Sequence, residues 1–187
     1  MCSKPNDKRG QRGNALVFGL MALVLAAIGI AVGVELYRRA ERRMVIDRTV
    51  FEVRTIIGAM QSTYGRFGYR GFTHEDALLS GVIPANLLLT TGAGSAAQTV
   101  ARHSLGGDIM LGHLDMAAGW PAGMLRFKDV PSDVCPSVML ATEKLAGQSS
   151  VGPYLVKWDD GPLQLSSVES GCIAAEKVDL VWYFHPT

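Results

Sequence analysis

The sequence predicts an α+β fold in which a long N-terminal helix, half apolar span and half amphipathic, packs on an antiparallel sheet. Three observations predict it. Residues 15–34 carry no charge and almost no polarity. Residues 35–64 are charged, with apolar residues at helical spacing. The remainder alternates short strand-like runs with Gly/Pro punctuation, the pattern of a sheet segregated to one side of a helix. The net charge of +1 gives no strong pull toward nucleic acid, and no nucleic-acid partner is expected.

The helix is expected over 14–64, roughly 75 Å if continuous at 1.5 Å per residue. Its apolar part is long enough for a bilayer core of about 30 Å. Lys4, Lys8, Arg9 and Arg12 precede it, and Arg38, Arg39, Arg42 and Arg43 follow with Glu35 and Glu41. A plain single-span anchor is one reading. A secretory signal peptide is another, but the apolar run is long for one and no small-x-small cleavage site follows it. A third reading has the basic leader cut after Gly13, which keeps the apolar segment in the mature chain. Basic residues flank both sides, so charge does not set the orientation. Cys135 and Cys172, far beyond the span, need an oxidising compartment to pair, which places the leader and Cys2 in the cytoplasm.

Gly19, Gly29 and Gly33 lie inside the span; Gly29 and Gly33 share a face and permit close helix approach. Ile46, Val50, Val53, Ile57, Met60 and Tyr64 form one stripe that needs covering, most simply by a sheet; a parallel coiled coil is the competitor, though the stripe ends after fewer than three heptads. Arg48 and Glu52 are spaced for an i,i+4 pair. Gly65, Gly68 and Gly71 end the helix. A short helix over 73–80, capped by Thr73, follows, and Gly81, Pro84 and Asn86 break it. Residues 90–101 read as an exposed loop. Residues 108–115 and 123–130 read as strands joined around Gly119 and Pro121. Residues 131–146 read as a helix with Pro136 in its first turn. Residues 151–158 and 163–168 read as a hairpin around Asp159-Asp160-Gly161, and 177–184 as the last strand. Joining Cys135 to Cys172 would close a loop of about 38 residues, worth roughly 4 kcal/mol by chain entropy.

Little here suggests catalysis. On a strand, Asp108, His113 and Asp115 do not share a face, so with His103 they make a poor metal or acid–base set. Asp159-Asp160-Gly161 offers too few oxygens for calcium. Gly92-Ala93-Gly94-Ser95 lacks a nucleophile elbow and a phosphate-loop lysine. Trp120, Trp158 and Trp182 are expected in the core or on a sheet face, and His185 in solvent. No cofactor or metal is expected, and the chain is not read as an enzyme.

In order, these residues resemble type IV pilins, the type IVb branch in particular: bundlin, the toxin-coregulated pilin and the thin-pilus subunits of conjugative plasmids. Arg12-Gly13 before a retained apolar helix resembles a prepilin peptidase site. Phe51-Glu52-Val53 through Gln61-Ser62-Thr63-Tyr64-Gly65, then Gly68-Tyr69-Arg70-Gly71-Phe72 and Gly81-Val82-Ile83-Pro84, resemble the end of the pilin helix and the loop after it. Gly106-Gly107-Asp108-Ile109 resembles the lead-in to the first strand. Val130-Pro131-Ser132-Asp133-Val134-Cys135 and Gly171-Cys172 resemble the ends of the C-terminal disulfide loop.

The resemblance implies a leader over 1–13, a transmembrane and filament-core helix over 14–35, and a globular head over 36–187. It implies processing between Gly13 and Asn14 and a Cys135–Cys172 disulfide. It also implies an assembly helix that includes Phe18, Gly29 and Gly33. The partners would be other pilin subunits, prepilin peptidase and an inner-membrane assembly platform. The precursor would sit in the inner membrane, and the assembled filament would act outside the cell in adhesion, aggregation or conjugation. Two positions depart from the family pattern. Phe18 stands where the fifth mature residue is usually Glu, and Asn14 where an apolar residue is usual. The alternative is a membrane-anchored periplasmic binding protein or enzyme that keeps its leader.

Overall fold

The computed structural model describes residues 9–92, 98–115, 121–159 and 161–185, the side chains of 9–16 apart. Helix α1 spans Arg9–Tyr64, so it starts ahead of the expected Asn14, in the basic stretch before the apolar run. The chain divides into two units, Met1–Arg43 and Met44–Thr187, each taken by itself below.

In the second unit, α1 supplies Val50, Val53, Ile56, Ile57 and Met60 to the core, all buried. Ile46 and Tyr64 pack at the edge of that core. The apolar stripe read from spacing is therefore the buried face, widened by Ile56. After Gly65, glycines 68 and 71 take positive φ of 71° and 79°, which turns the chain sharply. Helix α2 (His74–Leu79) has the full capping box: the Asp76 amide donates to the Thr73 hydroxyl, and the Thr73 amide donates to the Asp76 carboxylate at 2.9 Å.

A 3-10 turn (Ala85–Leu87) leads into β1 (Leu88–Thr91), which pairs antiparallel with β2 (Gln98–Ala101). Residues 90–91 and 98–101 of the expected loop are therefore strand, paired in a small hairpin, and 93–97 lie outside the described residues. Five strands form the main sheet: β3 (Ile109–Asp115), β4 (Pro121–Pro131), β5 (Gln148–Val151), β6 (Tyr154–Lys157) and β7 (Lys177–Phe184). Their order is β3-β4-β7-β5-β6, with every pairing antiparallel. Strand β7 is the last in sequence yet central in space, and its buried Val178, Leu180, Trp182 and Phe184 carry the period-two pattern of a core face. The β4–β7 register shifts between Phe127 and Val130, where Asp129 takes φ 57° and donates its amide to Asp179 at 3.2 Å.

Helix α3 (Cys135–Ala141) and a 3-10 turn (Glu143–Leu145) stand where a helix over 131–146 was expected. Residues up to Pro131 belong to β4. Helix α3 ends at Thr142, whose hydroxyl donates to the Val138 carbonyl at 2.7 Å and accepts from the Trp182 indole at 3.0 Å. The hairpin after it differs from expectation. Its turn is at Gly152-Pro153, between β5 and β6, and the expected second strand over 163–168 is helix α4 (Leu165–Ile173). Val168, Gly171 and Cys172 are buried at spacings of three and four, a helix face rather than a strand face. Asp159 lies past the hairpin and accepts from the buried Gln148 amide at 3.0 Å; Asp160 is outside the described residues. A disulfide joins Cys135 to Cys172 with a Cα separation of 5.7 Å, locking α3 to α4.

Candidate functional site

The first unit has no core of its own among its described side chains. Val17, Phe18, Leu20, Met21, Leu23, Val24, Leu25, Ile28, Ile30, Val32 and Val34 are all exposed. The apolar window is 0% buried, with mean hydropathy 2.7. In water such a surface is strongly unfavourable, at about 25 cal/mol for each Å² of apolar area. It calls for lipid or for other protein. Phe18 is 70% exposed and adds no charge to it. A Cβ placed on Gly19, Gly29 or Gly33 meets nothing within 4 Å beyond the helix's own backbone, so none of the described residues packs against these glycines. Gly13 and Asn14 lie in the first turns of α1, and their side chains are outside the described residues. The apolar segment ends at a charged belt in which Glu35 accepts from Arg39 Nε at 2.8 Å, an exposed i,i+4 pair. Surface pairs of this kind add well under 1 kcal/mol.

In the second unit the 103–107 loop meets α1. The Ser104 amide donates to Glu52 Oε2 at 3.0 Å, and the Ser104 and Thr49 hydroxyls are 3.0 Å apart. Thr49 gives its own proton to the Val45 carbonyl at 2.9 Å, so Ser104 is the donor in that pair. Glu52 is 3% exposed. Its Oε1 has no hydrogen bond, and Arg48 Nε stands 3.4 Å away, closing the pair that spacing predicted as a loose ion pair.

Beside it, buried His103 lies flat on Phe127, with ring centroids 4.8 Å apart. Its Nε2–H donates to the Lys128 carbonyl at 2.7 Å, and its Nδ1 accepts from the Leu105 amide at 3.2 Å. Burial lowers its pKa below the usual histidine value; the Lys128 hydrogen bond and the Glu52, Asp108 and Asp129 carboxylates pull the other way. A Cβ on Gly107 would overlap the Lys128 carbonyl and come within 2.6 Å of His103 Nε2, so only glycine lets this loop approach β4.

Of His103, Asp108, His113 and Asp115, the first three have other partners, and Asp115 is exposed at the end of β3. His103 is bonded as above. Asp108 pairs with Arg102 at 3.4 Å, and His113 Nδ1 donates to the Phe72 carbonyl at 2.9 Å. Among the described residues no three His, Cys, Asp or Glu side chains gather to hold a metal. Trp182 is buried in the sheet. Trp158, expected in the core or on a sheet face, is instead exposed just past β6; Trp120 is outside the described residues. His185 is exposed as expected. Sequence reasoning missed the buried polar groups Glu52, Gln148 and Lys157. Lys157 Nζ donates to the Glu143 and Ala146 carbonyls at 2.7 and 2.8 Å. Nothing in their local sequence marks them for burial.

No protein-family model matches the sequence, and no curated protein matches it. Solved structures do. The crystal structure of a type IVb pilin from Salmonella typhi superposes with a TM-score of 0.54 at 13% identity, covering 73% of this chain and 97% of that one. The crystal structure of TcpA, a type IV pilin from Vibrio cholerae El Tor biotype, gives 0.50 at 11% identity, covering 75% and 98%. At these identities the likeness is one of fold: this chain has a pilin-like fold over nearly the full length of both.

Proposed function

We propose that the chain is a structural subunit of a type IVb pilus. It would be made as an inner-membrane precursor, cut after Gly13 by a prepilin peptidase and assembled through α1 into an extracellular filament. One observation carries this reading. A fully exposed apolar helix segment is joined to a head with the pilin-like fold, and that segment must exchange lipid for protein when the subunit leaves the membrane. The proposed organisation is a leader over 1–13, a membrane and filament-core segment over 14–35, and a head over 36–187. Gly29 and Gly33 would be points of close approach to neighbouring helices. Phe18 takes the place of the acidic residue usual in the family, so assembly here would rest on apolar packing at that position. This favours a minor or divergent subunit over the standard repeating one. Adhesion, aggregation or conjugation would be the filament's task.

The test is surface shearing. Cells that make the protein should release it in a sedimentable fraction that shows filaments by electron microscopy. Retention of all the protein in the membrane, with no filament, would favour a membrane-anchored periplasmic binding protein or enzyme.

A further inference from the structure

In the first unit, four arginines crowd the turns just past the apolar segment. Arg38, Arg39, Arg42 and Arg43 are all exposed, and only Glu35 and Glu41 accompany them over 35–43. Glu35 is engaged by Arg39 at 2.8 Å. Among the described residues, neither Arg38 nor Arg43 has a hydrogen-bond or ion-pair partner. Arg38, Arg39 and Arg42 line a notch of about 190 Å³ together with Glu35.

Their place along the helix and around it decides what they meet. Helix α1 is continuous through them, so at 1.5 Å per residue Arg38 stands about 6 Å past Val34 and Arg43 about 13 Å past it. The headgroup layer of a bilayer extends about 5–8 Å beyond the apolar core on each side. Side chains lean toward the N-terminus of their helix, which is here the apolar side. The long arginine stems therefore bring all four guanidinium groups back to that layer. At 100° per residue the four lie within about 140° of the circumference, and Tyr37 and Ala40 lie on the opposite side. Spanning helices tilt by about 20° on average, and the underside of a tilted helix stays longest among the headgroups. An arc of charge on one side suits that underside.

We propose that this arc binds the phosphate groups of anionic phospholipids at the membrane surface, resting on the membrane-spanning reading above. Arg38 and Arg43 supply the two unanswered charges, and the notch seats a phosphate against Arg38 and Arg42. Guanidinium forks match phosphate oxygens two at a time. In the proposed orientation these arginines lie outside the cytoplasm, where basic residues beside a span are the less common, and headgroup binding gives them a task there. Breaking these contacts is then one step in leaving the membrane for the filament.

The test uses the full chain in neutral-detergent micelles, titrated with phosphatidylglycerol or phosphatidylcholine and read by native mass spectrometry. Phosphatidylglycerol should bind more tightly. Arg38→Gln and Arg43→Gln should each weaken it about fivefold, and the pair together about thirtyfold. Arg38→Lys with Arg43→Lys keeps the charge and should keep most of the binding. Phosphatidylcholine bound as tightly as phosphatidylglycerol, or phosphatidylglycerol binding unchanged in the double Gln variant, overturns the proposal. Displacement of the lipid by millimolar inorganic phosphate also overturns it, since the arc would then be a site for the free ion. Unchanged lipid binding with filament yield lost in the double Gln variant assigns the arc to a neighbouring subunit and overturns it too. A chain that enters vesicles of neither phosphatidylcholine nor phosphatidylglycerol overturns the membrane-spanning reading itself, a result distinct from any of these.

Discussion

The Ser104 amide donates to the buried Glu52 carboxylate at 3.0 Å, and this bond fixes the 103–107 loop onto α1. Glu52 sits on the helix and Ser104 just before the first main-sheet strand, so the bond joins the two layers of the fold. Replacing Glu52 by Ala leaves the Ser104 amide without its acceptor. The head should lose about 1–3 kcal/mol in denaturant unfolding. Glu52→Gln, which keeps an acceptor oxygen, should lose less. Equal losses would show that the amide bond is not what matters there.

Gly107→Ala should be more severe. The new methyl would overlap the Lys128 carbonyl and crowd His103, and backbone on both sides would have to move. The expected loss is roughly 3 kcal/mol or more. By contrast Gly106→Ala meets no atom, but Gly106 holds φ 88°, so its cost should be the smaller one of a strained turn, about 1 kcal/mol. Thermal unfolding of the two variants ranks them directly.

Acid should weaken the head through His103. Its folded pKa lies below the ordinary value of 6.5 because burial disfavours the charged ring. The unfolded chain therefore takes up the proton first as pH falls. Stability is complete above the ordinary histidine value and declines as pH drops from there toward the folded value. His74 is shifted the same way by burial, so His103→Gln should remove part of the slope and not all of it. A pH profile of unfolding free energy that is unchanged by His103→Gln would contradict this assignment.

Reduction of the Cys135–Cys172 bond frees a long loop in the unfolded state. The head should lose about 4 kcal/mol on the chain-entropy estimate, with α3 and α4 the first elements to gain amide exchange. Exchange that rises evenly over the whole head would instead mean that the bond supports no particular region.

Gly33→Leu separates fold from assembly. Among the described residues nothing beyond the helix's own adjacent backbone lies within 4 Å of a Cβ there, so head stability should stay within about 0.5 kcal/mol. Filament yield should fall, because a large side chain holds neighbouring helices apart. An unchanged yield would remove Gly33 from the assembly face.

Much of the fold was legible where periodicity is strong. Val50, Val53, Ile57 and Met60 declare the buried helix face, and Val178, Leu180, Trp182 and Phe184 alternate as a central strand should. The Thr73 cap of α2 was legible from its place before the helix; its reciprocal partner Asp76 was not. Strand β5 was not. Gln148, Ser149, Ser150 and Val151 are all buried, but three of them are polar, and their burial is secured by partners distant in sequence. The stretch 163–168 misled because Leu163 and Leu165 alternate like a strand, while the helix only shows once Val168, Gly171 and Cys172 are counted. Glu52 was seen only as a surface pair with Arg48. Its burial depends on Ser104, a loop residue that no local pattern connects to it.

The proposed pilus role requires an apolar helix kept through maturation and then buried among copies of itself. The most direct measurement is the intact mass of the subunit in sheared surface filaments. The expected subunit begins at Asn14, with residues 1–13 gone and the Cys135–Cys172 bond intact. A full-length mass starting at Met1, found only in the membrane fraction, would contradict it.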